Sequence, residues 1–415
     1  MPFPKIIPAL ADLTQDIAGQ VPVRLLHDWA TGAQDLAAAE SLLEGFQIDG
    51  TVVSTDTSGL SRMTQEMDLL DVLSLISRPK EIVHAIGKEI GGRPIGVWIA
   101  DNSEMIYPPS TDPQTVVDAM GEVQHRIHSR MAIRIGMCIH NGRFYEIAGG
   151  LYGADADKVE DLAEDCAGPG EILLTDEIRM LLKDPPASGF EHRNFDRGED
   201  GIESAWLLSL QRRMPELPAR DTAYPHPFPQ EFFRMLSRLD LPDEAAGARA
   251  GIYSRWLREK VVLFIAHHRG IESPGALGDL LDSLVINALM EAVIGNLADP
   301  ATVASSAGGL AILTFDKAED ALEMGRAAMA RLAENGVPAR VAIDAGSVLL
   351  LQNAAGPSGI AGDPVNIASK LSEDTGRNGH ICISDRALRK MAHTPRGERF
   401  ETRISNVQLS GLVLG

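Results

Sequence analysis

Cysteine and aromatic side chains are scarce in this chain of 415 residues, which has three cysteines, four tryptophans, five tyrosines and eleven phenylalanines. Cys138, Cys166 and Cys382 lack the spacing of a metal knuckle and cannot all pair. They read as reduced core thiols of a cytosolic protein. Positive charge is also short. Lys and Arg number 38 against 58 Asp and Glu, a formal net charge of −20, which argues against a nucleic-acid-binding surface. No apolar run approaches a membrane span. The start, Met1-Pro2-Phe3-Pro4-Lys5-Ile6-Ile7-Pro8, has no basic leader followed by a long apolar stretch, so a signal peptide is not expected. What is present, 44% hydrophobic and 23% charged residues, suits a soluble globular protein with room for two or three cores.

The most informative stretch is Gly362–Leu371, Gly-Asp-Pro-Val-Asn-Ile-Ala-Ser-Lys-Leu. A glycine turn enters a helix, and Asn366 and Lys370, four residues apart, share one face. An amide and a cation at a helix start suit an oxygen-rich ligand such as a phosphorylated sugar. The stretch has an echo 209 residues earlier in Gly153–Leu162, with Asp157 and Asp161 where Asn366 and Lys370 stand. Gly170–Asp176 matches Gly379–Asp385 at the same offset. The chain therefore reads as two copies of one domain that differ in charge where the chemistry would be.

Periodicity fills in the rest. Residues 5–45 read as helical with a break at Val21-Pro22-Val23, a segment expected to cap the first copy or to support self-association. Gly50–Asp56 is a β-branched strand ending on a carboxylate. A turn over Thr57–Ser61 leads into a helix through Ile76, then a further helix over Lys80–Ile90. Ile95–Ile99 and Glu104–Tyr107 read as strands around the hairpin tip Ala100-Asp101-Asn102. Next come a helix over Thr115–Ser129, a strand from Met131 past Gly142 towards Ile147, a helix at 155–165, the strand Ile172–Thr175, and Trp206–Leu210 closing the copy. Prolines crowd 213–258 around two helical pieces, Glu231–Leu239 and Ala245–Leu257, read as a surface linker. The second copy repeats the order: strand Val261–Ala266, helix Leu280–Leu297, hairpin Val303–Phe315, helix Glu319–Asn335, strands Ala339–Ile343, Ser347–Leu351 and Ile381–Ser384, and a closing edge around Phe400–Leu414. Gly142 and Gly346 read as turn glycines. The class is α+β.

The ordered set Asp56-Thr57-Ser58-Gly59-Leu60-Ser61, Ala100-Asp101 with Tyr107 beyond it, Ile133–Gly136, Gly153–Leu162, Ala339–Gly346 and Gly362–Leu371 resembles the class III nucleotidyl cyclases, the adenylyl and guanylyl cyclase catalytic domains. The resemblance covers residues 46–212 and 259–415. It implies two ferredoxin-like (βαββαβ-type) domains in tandem behind an N-terminal helical segment, 1–45, and joined by the Pro-rich linker. In that family a ribose 3′-hydroxyl attacks the α-phosphate and pyrophosphate leaves, with Mg²⁺ or Mn²⁺ held by two carboxylates at strand tips. Asp56 and Asp101 match those metal ligands. Their second-copy counterparts fall on Ala266 or His267 and near Gly309, which are not carboxylates. Asn366 matches the ribose-orienting asparagine and Lys370 the transition-state cation. The copies are thus expected to pair head to tail within one chain, with a homodimer as the fallback, and to make one competent site. Departures accompany this. The purine-reading lysine position falls on Val97 and about Ser305, the second purine-reading position on Gly359 and Gly150, and Lys370 lacks an arginine's bidentate fork.

Two functions follow. One is a cyclase forming a 3′,5′-cyclic nucleotide and pyrophosphate from a nucleoside triphosphate. The other is a catalytically inactive, cyclase-like regulatory module that binds a nucleotide, another small ligand or a protein partner. Plainer roles exist for each residue. Asp56 can cap the next helix, Asn366 can be a helix N-cap, and Lys370 can be a surface lysine. His267-His268-Arg269 is polar loop or a replacement metal ligand. Asp157, Glu160 and Asp161 make a solvated acidic face, and Arg134 and Arg340 are structural strand residues.

Overall fold

The computed structural model describes residues 17–18, 21–59, 63, 67–98, 102–183, 189–196, 202–209, 224–267, 275–307, 309–353, 356–404 and 407–415. The chain falls into two compact units. One joins the segment through Leu42 to Phe228–Phe232 and Arg249–Gly415; the other joins Leu43–Pro227 to Phe233–Ala248.

The unit containing the first copy begins its sheet with β3 (Gln47–Thr57); two short strands precede it, β1 (Ile17–Ala18) and β2 (Val21–Pro22), which pair with each other. Helices α1 (Val23–Thr31) and α2 (Leu36–Leu43) follow β2. Thr51, Val52, Val53 and Thr55 are buried along β3, as β-branched residues on a covered pleat should be. After α3 (Leu69–Glu89), β4 (Arg93–Ile95), β5 (Ser103–Tyr107), α4 (Pro113–Arg130), β6 (Ile135–Ile147), β7 (Gly150–Tyr152), α5 (Ala154–Asp161), β8 (Ile172–Leu174), α6 (Asp176–Leu181), β9 (Phe190–Asp196) and β10 (Ile202–Leu208), the sheet order is β4-β5-β3-β6-β8-β10-β9, with β7 paired to β6.

The second copy repeats it. Helices α7 (Gln230–Leu236) and α8 (Pro242–Trp256) lead to β11 (Leu257–His267), α9 (Ala276–Leu297), β12 (Val303–Ala307), β13 (Leu310–Phe315), α10 (Ala318–Glu334), β14 (Ala339–Asn353), β15 (Gly356–Ala361), α11 (Asp363–Lys370), β16 (Ile381–Ser384), α12 (Asp385–Leu388), β17 (Glu398–Ile404) and β18 (Val407–Leu414). Its order is β12-β13-β11-β14-β16-β18-β17, with β15 on β14. In each copy one pair, β6 with β8 or β14 with β16, is parallel. The two eight-stranded sheets are thus the same mixed α+β fold.

Several expectations change. The helical stretch around Pro79 is one helix, α3, and not two. Pro79 withholds an N–H and disfavours a helical Arg78. One buried apolar stripe through Leu70, Leu73, Ile76, Val83 and Ile86 nonetheless holds the turns in line, and Asp68 caps the start by accepting from the Leu70 amide at 3.0 Å. Gly142 and Gly346 are not in turns but inside the long strands β6 and β14. A Cβ at Gly142 would lie 2.4 Å from Asp155 Oδ2, and one at Gly346 3.1 Å from Pro364 Cγ, so both positions let a helix start approach the strand. Strand β9 was not foreseen, because its Glu191-His192-Arg193-Asn194 core is polar. The N-terminal helix α1 does not cap the first copy. It packs on α9 of the second, buries Val23, Leu25, Leu26 and Trp29, and gives the Trp29 indole N–H to Asp282 Oδ1 at 2.7 Å. The linker helices form where expected, yet they are not a surface strap. Phe232, Phe233, Leu236, Ile252 and Trp256 are buried, the Phe232 ring meeting Trp256 at 5.2 Å and Phe233 stacking on His226 at 4.2 Å.

Candidate functional site

Asp56 stands half-buried near the end of β3, opposite Gly136 on β6. Helix α3 is capped by Asp68. The registers settle the counterpart of Asp56. Ile172 and Ile381, equivalent by sequence, lie beside Met137 and Val341. Gly136 therefore corresponds to Arg340, and Arg340 faces Ala266 on β11. The counterpart is Ala266, not His267. Where one copy has a carboxylate against glycine, the other has a methyl against a guanidinium. Arg340 donates through Nη1 to the Glu373 carbonyl at 3.2 Å.

Asp101, His268 and Arg269 lie outside the described residues. Tyr107 pairs with Thr51, and Phe315 with Val261. Six positions before each stand Asp101 and Gly309. Gly309 has φ +78°, and a Cβ there would meet the His267 ring at 2.6 Å. The His267 ring occupies the space that a side chain at Gly309 would need.

A carboxylate that sequence reasoning missed lies on the Asp56 face. Glu104 on β5 pairs with Ser54, two residues before Asp56 on β3. Burial first, and then the charge of Glu160, push its carboxyl up to about 8. Its immediate neighbours gave no sign of it, since Ser103 and Met105 are buried on the opposite face of the strand. Glu160 is itself held above the ordinary range by local desolvation and then by Glu164, Asp157 and Asp161. Asp157 and Asp161 are exposed, as the acidic-face reading has it.

The helix starts are built alike. Gly153 (φ +104°) caps α5 and Gly362 (φ +144°) caps α11, a backbone conformation that favours glycine. Both helices run eight residues into a π-helical turn, Leu162–Cys166 or Leu371–Thr375. Because Gly362 is the cap, Asn366 is not spent on capping. It lies one turn in and is exposed, while Lys370 ends the helix half-buried. Arg134 is structural, donating to the Ile133 carbonyl at 2.8 Å and to that of Met131. Val97 is 55% exposed, Ser305 is half-buried on β12, and Gly150 and Gly359 lie on β7 and β15.

Asp56 offers a hard oxygen donor of the kind divalent ions take. Among the described residues no group of three or more His, Cys, Asp or Glu could hold a metal ion, so a metal there would need Asp101 and ligand oxygens as well. Among the described residues no helix is long and apolar enough to cross a membrane.

No family model matches the chain, and no curated protein does. Solved structures do. A class III adenylyl cyclase-like ATP-binding protein from Pseudomonas aeruginosa is similar over 83% of this chain and 85% of that one, at 13% identity and a TM-score of 0.43. The adenylyl cyclase CyaB from P. aeruginosa is similar over 41% of this chain and 98% of its own, at 15% identity and a TM-score of 0.32. The guanylate cyclase domain of RhGC from Catenaria anguillulae, in complex with GTP, covers 40% and 99% at 13% identity and a TM-score of 0.33. The two sheets share one strand order, so the chain repeats a single mixed α+β unit. Between the copies two changes of charge stand out: Ala266 in place of Asp56, and Asn366 with Lys370 in place of Asp157 with Asp161.

Proposed function

We propose that the protein is a tandem cyclase-type enzyme with a single composite site, taking Asp56 and Asp101 from the first copy and Asn366 and Lys370 from the second. The substrate is a nucleoside triphosphate. The ribose 3′-oxygen loses its proton and bonds to the α-phosphorus, the bond to the bridging oxygen breaks, and pyrophosphate leaves. Mg²⁺ or Mn²⁺, when bound, acidifies the hydroxyl and neutralises phosphate charge. Asn366 orients the ribose by hydrogen bonds, and Lys370 supplies charge to the crowded phosphorus as it accumulates negative oxygen. One observation supports this reading: Asp56 ends β3 where the second copy has Ala266, and Asn366 and Lys370 stand on α11 where α5 has Asp157 and Asp161.

The test is to incubate the protein with each nucleoside triphosphate and Mn²⁺ and assay for 3′,5′-cyclic product. Product is expected, absent in Asp56→Ala and in Asp101→Ala, and reduced by roughly a hundredfold in Asn366→Ala. The positions that would read a purine favour a second reading, since Val97 is largely exposed and Gly359 has no side chain. In that reading the chain is a catalytically inactive regulatory module that binds a nucleotide, another small ligand or a protein. No product with any triphosphate, together with nucleotide binding that ignores metal, would establish it.

A further inference from the structure

On the sheet face that carries Asp56, four residues further along the neighbouring strand, each copy fastens the start of its site helix with a different buried polar group. In the second copy the group is Asp344 on β14, fully buried. Ser384 Oγ donates to Asp344 Oδ1, and Arg386 of α12 grips both carboxylate oxygens, one of them through Nε at 3.1 Å. The same guanidinium reaches Asp363, the first residue of α11, at 3.5 Å. This clasp joins a carboxylate to a guanidinium and holds no imidazole.

The first copy puts His140 on β6 in that place, with a relative exposure of 0%. Its Nδ1 lies 2.8 Å from Thr175 Oγ1, the hydroxyl matching Ser384. Its Nε2 lies 3.3 Å from Asp155 Oδ1 on α5, short of hydrogen-bond alignment. Glu177 of α6 stands 3.6 Å from Nδ1. A Cβ at Gly142 would strike both His140 Nε2 and Asp155 Oδ2, at 2.5 and 2.4 Å, so the clasp is fitted closely to the strand. The charges facing the ring are Asp155 and Lys158 from α5 and Glu177 from α6.

Both carboxylates already accept a donor, Asp155 through Oδ2 from the Arg143 amide at 2.7 Å and Glu177 through both oxygens from Lys158 Nζ, at 3.0 and 3.2 Å. An imidazolium formed here would lose its water with little new pairing in return. Burial accordingly holds the His140 pKa below its ordinary value, against the opposing pull of Asp155 and Glu177.

We propose that His140 is a proton-operated clasp of the first copy alone: protonation of the buried ring frees the start of α5, and with it the π-helical turn beside Asp56, while the Asp344–Arg386 clasp of the second copy stays shut. The path is short. The turn packs on β3 and β6, and a Cβ at Gly136, opposite Asp56, would lie 2.6 Å from the Ala167 carbonyl at the end of that turn. Acid would therefore disorder the wall beside Asp56 without touching α11. The inference rests on the clasp geometry and not on catalysis.

The experiment follows the His140 ring by NMR titration and the amide exchange of residues 154–166 and 363–375 across about pH 7.5 to 5. The ring is expected to titrate below about 6.5, and protection over 154–166 to fall about tenfold for each pH unit between the ordinary and the shifted value. Protection over 363–375 is expected to hold. In His140→Asn, which keeps a polar group towards Thr175 and cannot take up the proton, the acid step in 154–166 should vanish. A ring that titrates above about 6.5, or unchanged protection over 154–166, overturns the proposal. So does parallel loss in both segments, or an acid step that survives in His140→Asn. The wild-type measurements decide the matter even if the variant does not fold.

Discussion

At the strand ends that matter, the two copies answer one packing problem with opposite charges. The first sets Asp56 against Gly136, and the second sets Ala266 against Arg340. Deeper in, the first uses His140 with Glu177 and the second Asp344 with Arg386. At Glu104 the second copy has Ile312, buried where the first buries an acid. The lesson is that the backbone of this fold fixes where polarity is needed and leaves its sign open. The sheet then survives either choice, because Ala266 beside Arg340 fills the register that Asp56 beside Gly136 fills in the other copy.

That comparison can be broken at graded cost. Arg386→Ala leaves Asp344 buried without its main cation and should destabilise the second copy by about 3–5 kcal/mol. Region-resolved amide exchange reads it. Glu177→Ala in the first copy is the matched change, and because Glu177 is 44% exposed its loss should stay within about 1 kcal/mol. Equal losses would mean that the two clasps are energetically alike after all. Next comes Trp29→Phe, which keeps the packing but removes the N–H from Asp282, at about 1–3 kcal/mol in the second copy and nothing in the first.

Last comes Glu104→Gln, whose effect is absent at acid pH and grows as pH rises. The folded pKa of Glu104 is raised to about 8 from 4.5, so the folded state holds its proton more tightly than the unfolded state does. The stability it contributes is complete below about pH 4.5 and drains away as pH rises through about 8. The variant should therefore match wild type at acid pH and exceed it by a margin that widens between about pH 4.5 and about pH 8 in urea melts. A stability gap that does not widen with pH would place Glu104 in a wetter setting and erase its contrast with Ile312.

The duplication, the sheet strands and the site helices were legible in the sequence because they are written locally. A glycine with positive φ opens each site helix, and β-branched runs mark β3 and β11. The strand that ends near Asp56 and the helix that carries Asn366 and Lys370 were legible for the same reason. Register was not, and only the pairing of β14 with β11 decided between Ala266 and His267. Glu104 and His140 were missed because their significance comes from burial across strands, and no residue near them in sequence announces it. The course of α3 through Pro79 was hidden because a local helix-breaking signal was outweighed by a continuous apolar face. The place of α1 was hidden because its deciding contact, Trp29 to Asp282, spans 253 residues.

That contact constrains how the gene product can be divided. A fragment cut at the boundary that the repeat suggests, near residue 259, would carry α9 with its covering helix missing. Val23, Leu25, Leu26 and Trp29 would remain on the wrong piece. The second copy is therefore not an independently transferable module in its sequence order. It would travel intact only as a circular permutant, with residues 21–43 spliced on by a tether, or as two polypeptides that find each other through the Trp29 face.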